Sequence, residues 1–268
     1  MIIAWVLPIV LVLIVVYISF AKKRKASFKS FPVSYLAVLQ KQKFYLDLKK
    51  AQQKVFEQRI LQFLEDVYIE GVKTEITNED KLLVAMSAVI PTLGFKNWHY
   101  PNLSSVLVYP DHFNGDLQFE GDSAKRNVLG LVGNGQFKNT MILSKKALHI
   151  GFENTTDKEN TAIHEFAHLI DGFDGDIDGI PEHIIAKPYV VPWLNLMHEE
   201  MKKIQKHHSD IRAYGATSQS EFFAVAAEYF FSRPRLFKKK HPELYKILSR
   251  AFNQDIVTVT KTQKKIAS

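Results

Sequence analysis

Apolar and polar positions alternate at three different periods along this chain, and the periods divide it into regions. Residues 1–20, MIIAWVLPIVLVLIVVYISF, hold no charged side chain and have no polar face. At about 1.5 Å per residue, twenty helical residues match the ~30 Å hydrocarbon layer of a bilayer. From 33 to 69 the apolar positions Leu46, Leu48, Ala51, Val55, Ile60, Phe63 and Leu64 recur three or four apart with Lys, Gln and Glu between them, which predicts helix. Gly71 ends that stretch. Thr77 is placed to cap a second helix, with Glu79 and Asp80 in its first turn and Leu82, Leu83, Ala85, Met86 and Val89 on its apolar side. Pro91 is expected to weaken that helix near its end.

The period then shortens. LSSVLVY (103–109) and TMILS (140–144) read as strands. Between them, 114–139 is rich in Gly, Asn and Asp and predicts loops around a short hairpin. GNG at 133–135 is a turn signal and not a phosphate loop, since no GK[ST] follows. Helical spacing returns over 157–170, 193–206, 219–231 and 242–252, with a loop at 171–181, and no internal repeat is present. Trp193, Leu194, Leu196 and Met197 are expected in the core, and RPRLFKKKH (233–241) as a solvated helix junction. The sum is an α+β fold, mainly helical with a small sheet, preceded by one transmembrane helix.

Composition changes this picture in three places. Apolar residues at 46% and charged residues at 24% of the chain are a folded-protein balance. Cysteine is absent, so any metal must be held by His, Asp or Glu. The formal net charge of +7 owes four charges to KKRK at 22–25, so it does not point to nucleic acid. Those four charges follow the apolar run, whereas a cleaved leader carries its charge before it. Residues 1–21 are therefore read as an uncleaved single-pass anchor in the cell membrane. The basic side stays cytoplasmic, and so does the rest of the chain. Residues 22–32 become a basic juxtamembrane linker, 33–252 the folded domain and 253–268 a C-terminal tail.

The candidate chemistry lies in NTAIHEFAHLID (160–171). His164 and His168 are four apart, so a helix presents both on one face to a single ion. Glu165, about 100° round the helix, reaches a metal-bound water without being a ligand, the logic of HExxH zinc hydrolases. The bland alternative is a pair of core histidines bonded to backbone carbonyls. Three residues compete to be the third ligand. Asp174 has the offset used in HExxHxxGxxH enzymes, but Asp171 stands where their glycine belongs. Glu221 opens an apolar helix, although Ser218–Glu221 also fits a capping box. Glu228 faces the same way as Glu221, either as a ligand or as the acceptor for a ligand's N–H. Asp174, Asp176, Asp178 and Gly179 imitate half of a calcium loop, but its twelfth position is Ile185. The strand at Met141–Ser144 is a candidate to pair with an extended substrate.

HEFAHLID followed by AYGATSQSEFFAVAAEYFFSRPRLF (213–237) resembles the Mlc titration factor A family of zinc peptidases, with the catalytic domain of anthrax lethal factor a more distant relative. WHYPNLSSVLVYPDHF (98–113), the MILS segment and the early FYLDL also fit, and the likeness spans roughly 33–250. The resemblance implies one Zn2+ on His164, His168 and Glu221, catalytic roles for Glu165 and Tyr214, and supporting positions for Asp171 and Glu228. It implies a zincin-like domain that hydrolyses a peptide or protein substrate, with a leaning toward aminopeptidase-like cleavage. GLVGNGQF before MILS fits the family poorly, and no site is assigned there. A regulatory protein partner is left unidentified. The alternative class is a membrane-tethered zinc-containing regulatory binding module without peptidase activity.

Overall fold

The region expected as helix from 33 to 69 forms three helices and a strand: α1 (Val33–Leu39), α2 (Lys43–Leu46), α3 (Lys50–Asp66) and β1 (Tyr68–Gly71). The helix ends at Val67, whose backbone is already extended at φ −121°, ψ 126°. Val67, Tyr68 and Ile69 are β-branched or aromatic, and pairing with a neighbouring strand decides their conformation. Phe56, Ile60 and Phe63 form the buried face of α3, while Val55 remains 48% exposed. The computed structural model describes residues 30–111, 130–132, 139–153 and 156–257, and the chain from Val33 onward forms one compact unit. The expected anchor, the linker up to residue 29 and the GNG turn lie outside the described residues. Among the described residues no helix is long and apolar enough to cross a membrane.

Helix α4 (Asn78–Thr92) starts as its sequence predicts. Thr77 accepts a hydrogen bond from Asp80 N at 3.2 Å, and Asp80 accepts one from Thr77 N at 2.7 Å, a reciprocal capping box. Pro91 does not stop this helix early. The free carbonyls of its last turn are satisfied by side chains from elsewhere: Gln254 donates to Ile90 O and Pro91 O, and Arg59 to Thr92 O. Residues 253–257, expected in the tail, thus pack against α4, with Val257 buried.

Strands β2 (Ser105–Tyr109), β3 (Gly130–Val132) and β4 (Thr140–Ser144) complete a four-stranded sheet in the order β1-β2-β4-β3. β1, β2 and β4 are parallel, and β3 returns antiparallel to β4 with Leu131 opposite Ile142. The short hairpin expected within 114–139 falls largely outside the described residues; of that stretch, β3 pairs with β4. One expectation fails here. Met141–Leu143 pairs with β2 on one side and β3 on the other, so this stretch of β4 has no edge to offer a substrate.

Helix α5 (Lys145–Glu153) leads from β4 to α6 (Thr161–Asp171), and α7 (Val190–Gln205), α8 (Gln219–Ser232), α9 (Pro234–Lys240) and α10 (Pro242–Ala251) follow. Short 3-10 turns occupy Lys187–Tyr189 and Ala213–Ala216. α6 packs between α4 and α8, with β3 and β4 also against it. α4 and α8 are buried almost all round, which is why their sequences carry so few charges. Of the core candidates on α7, Trp193 and Met197 are fully buried while Leu194 and Leu196 are partly exposed. RPRLFKKKH forms α9 itself, with Phe237 inward and its lysines at the C-terminal end, where the helix dipole favours cations.

Candidate metal centre

Helix α6 begins at Asn160, whose side chain accepts from Ile163 N at 3.0 Å; losing such a cap costs about 1 kcal/mol. One turn in, His164 and His168 point the same way. Their Nε2 atoms lie 3.1 Å apart and the rings meet nearly edge-on at 83°. Glu221 arrives from the first turn of α8. Its Oε2 is 3.0 Å from His164 Nε2 and 3.4 Å from His168 Nε2. Among the described residues this is the one group of three or more such side chains whose ligand atoms converge, all within 4.8 Å.

Glu221 had two readings, and its geometry separates them. Ser218 accepts from Glu221 N at 3.1 Å, so the cap is present. The Glu221 carboxylate does not complete the box but reaches the imidazoles. Its buried Oε2 has no aligned hydrogen-bond donor despite the two nearby nitrogens. Three ligand atoms that crowd one point, the carboxylate oxygen among them left without an aligned donor, fit a cation between them, and the donor set of two imidazoles and one carboxylate suits a transition metal. Charge tells the same story. Burial alone would lower the basicity of His164, but Glu221 and Glu228 on either side outweigh it and raise its pKa to about 10. The same imidazoles hold the Glu221 carboxyl well below its usual range, against the opposing effect of burial.

Glu228 sits behind His164. Its Oε2 is 3.2 Å from His164 Nδ1, and its Oε1 accepts from Asn160 N at 2.9 Å. Arg212 donates to Glu228 Oε2 as well, and lies 3.3 Å from Glu159. The carboxylate of Glu228 thus orients the ring whose other nitrogen faces Glu221. Asp171 accepts from Gly179 N at 2.8 Å, and burial raises its pKa to about 7.

Asp174 stays outside the cluster. It is exposed and accepts from Asp176 N at 3.2 Å, while Asp178 accepts from Ile180 N at 2.9 Å. The acidic loop is a series of self-bonded turns. Gly179 is required there for a packing reason: at φ +83° its backbone lies directly against Gln219 at the start of α8.

Glu165 and Tyr214 flank the cluster. Glu165 is 6% exposed, and burial raises the pKa of its carboxyl although both histidines oppose the shift. Tyr214, in the turn before α8, is half exposed with its ring centroid 6.0 Å from that of His164. Partial burial and the Glu221 charge push its hydroxyl up to about 12. Sequence reasoning missed three neighbours: Asn160, Arg212 and Gly130. The Asn at the helix start was a readable cap signal. Nothing in the spacing around Arg212 or Gly130 pointed to either.

The model of the glucose-regulated metallo-peptidase M90 family matches residues 18–253. An uncharacterized protein of Synechocystis sp. is 28% identical over 218 residues, covering 78% of this chain and 79% of its own. The Mlc titration factor A of Salmonella arizonae is 31% identical over 208 residues, covering 74% of this chain and 80% of its own. That of Klebsiella pneumoniae subsp. pneumoniae is 30% identical over 207 residues, covering 74% and 76%. With its paired helical histidines and converging carboxylate inside the matched region, the chain belongs to the glucose-regulated metallo-peptidase M90 family.

Proposed function

We propose that this protein is a membrane-anchored zinc peptidase, and the observation that carries the reading is the convergence of His164, His168 and Glu221 beside the buried Glu165. Zinc is favoured because two imidazoles and a carboxylate with a place left for solvent are the donors of many catalytic zinc sites. When bound, the ion lowers the pKa of water toward neutrality and polarises the scissile carbonyl. Glu165 takes the proton of the attacking water and delivers it to the departing amine. Its raised pKa suits a group that must hold that proton between the two steps. Tyr214 keeps its hydroxyl proton at neutral pH and donates to the oxygen on which negative charge develops. Glu228 accepts from His164 Nδ1 and so keeps the Nε2 lone pair directed at the ion. The substrate backbone is offered the edge of β3, which among the described strands pairs with β4 alone.

The same proposal places residues 1–21 in the cell membrane, joined by the linker 22–32 to a cytoplasmic peptidase domain. The support is the uncharged run 1–20 and the KKRK that follows it. Digestion of intact spheroplasts, with the domain degraded only after lysis, is the outcome this topology requires.

A second reading is favoured by the name of the relatives. Those relatives are called Mlc titration factor A, a name that points to a regulatory protein partner, and a membrane-tethered zinc-containing module with such a partner would need no chemistry at Glu165. Cleavage of chromogenic aminoacyl and peptide substrates by the full-length protein, with and without a chelator, separates the two. Peptidase function requires chelator-sensitive hydrolysis that Glu165→Gln lowers by about 10²- to 10⁴-fold while the metal stays bound. Full metal occupancy with no cleavage of any peptide would select the binding module.

A further inference from the structure

A cavity of about 680 Å³ shares no residue with the histidine–glutamate cluster or its flanking Glu165 and Tyr214. Small-molecule sites usually measure ~300–1,000 Å³. Buried Met86, Ile90, Ile163 and Phe231 belong to its lining, and Phe44 and Leu236 add partly exposed apolar surface. The cationic side chains Lys41, Lys43, Arg233, Arg235 and Lys239 also line it, against the carboxylates of Asp47 and Asp255.

Two of those cations stand apart from the others. Lys43 is paired with Asp47, and Arg233 donates to Thr156 O. Arg235 and Lys239 have no acidic partner among the described residues, and both are exposed. They are four apart on α9, so they share one face. A like-charge pair at that spacing destabilises a helix unless an anion lies between its members. The apolar interior calls for a hydrocarbon, and the cationic pair at its border calls for a negative head.

We infer that this cavity binds an anionic single-chain amphiphile of the long-chain fatty-acid class, its carboxylate held by Arg235 and Lys239 and its chain lying over Met86, Ile90 and Phe231. The site is independent of peptidase chemistry, so its test needs no substrate cleavage. Full-length protein is labelled with palmitate bearing a photoreactive diazirine, and the adducts are mapped by peptide mass spectrometry. Adducts are expected in 41–52, 86–94 and 231–239, competed by unlabelled palmitate. Arg235→Glu combined with Lys239→Glu, both on the surface, should weaken labelling of those segments at least tenfold and leave the circular dichroism unchanged. Affinity of saturated acids should tighten about fourfold for each added methylene while the cavity fills. Adducts confined to residues 1–20 would overturn the inference, because they would report partition into the apolar run. So would competition by hexadecanol as strong as that by palmitate, or labelling unaffected by the charge reversal.

Discussion

Gly130 and Glu165 are in such close register that a side chain on the first would displace the second. A Cβ built on Gly130 would lie 2.5 Å from Glu165 Cγ and 2.6 Å from Oε1. The edge strand β3 thus runs across the buried carboxyl, and only a residue without a side chain lets it pass. Gly130→Ala should push Glu165 off its position while the histidines remain where they are. A misplacement of about 1 Å at a reacting group costs on the order of 10²-fold in rate. The expected result is kcat lowered by about 100-fold with metal content unchanged. Unchanged kcat would show that β3 gives way instead.

Glu221→Ala should remove the third ligand, and Asp174→Ala should leave it. Metal analysis of the two purified variants checks this directly: near-stoichiometric metal in the Asp174 variant and loss in the Glu221 variant. The reverse pattern would move the third ligand to the acidic loop.

Glu228→Ala leaves two buried groups without their acceptor, His164 Nδ1 and Asn160 N, and takes from the partly exposed Arg212 one of its two carboxylate partners. Loss of such a partner behind a metal ligand typically weakens metal binding ~10–100-fold. A chelator competition titration reads that change. Glu228→Gln, which retains an acceptor, should recover much of the affinity.

A second buried cluster makes folding stability depend on pH. His241 is 2.7 Å from Asp210 and 3.3 Å from Glu200, and Lys158, Lys203 and Tyr229 face the same carboxylates. Burial lowers the basicity of His241, but the two carboxylates outweigh it and raise its pKa. Burial raises the carboxyls, but their cationic and hydroxyl partners outweigh it and hold both Glu200 and Asp210 below their ordinary values. His241 therefore stabilises fully below its unfolded pKa, about 6.5, and this is lost as pH rises through the raised folded value. Glu200 and Asp210 stabilise above their unfolded values, about 4, and lose this as pH falls through their depressed folded ones. Thermal melts should show a plateau between about pH 5 and 6.5 with a decline on either side. His241→Asn should flatten the alkaline decline and also shrink the acid one, because His241 helps hold Glu200 and Asp210 down.

Several features were legible in the residue pattern because they depend on neighbours a few positions apart. The four-residue spacing of His164 and His168, the caps at Thr77 and Ser218, and the β4 strand at Thr140–Ser144 all formed where the sequence put them. Helical pitch and strand alternation are local geometry, so a short window contains the information. The strand at Tyr68–Gly71 did not show in such a window, because pairing with Ser105–Val108 overrode a helical pattern that reached it from upstream.

The rest of the centre was decided by packing. Asp174, Glu221 and Glu228 were all chemically able to complete a metal site, and periodicity could not choose among them. The crossing of α6 and α8 does choose: it brings the first turn of α8 to the imidazole Nε2 atoms and leaves the next acidic residue on that face to the Nδ1 side. Arg212 and Gly130 enter through the same long-range geometry, one from the turn before α8 and one from an edge strand. Sequence by itself determined that two imidazoles and a glutamate would share one helix. The resemblance already implied Glu221, but periodicity did not; it is the tertiary structure that brings this distant carboxylate to the imidazoles, because that depends on how buried surfaces of separate elements fit together.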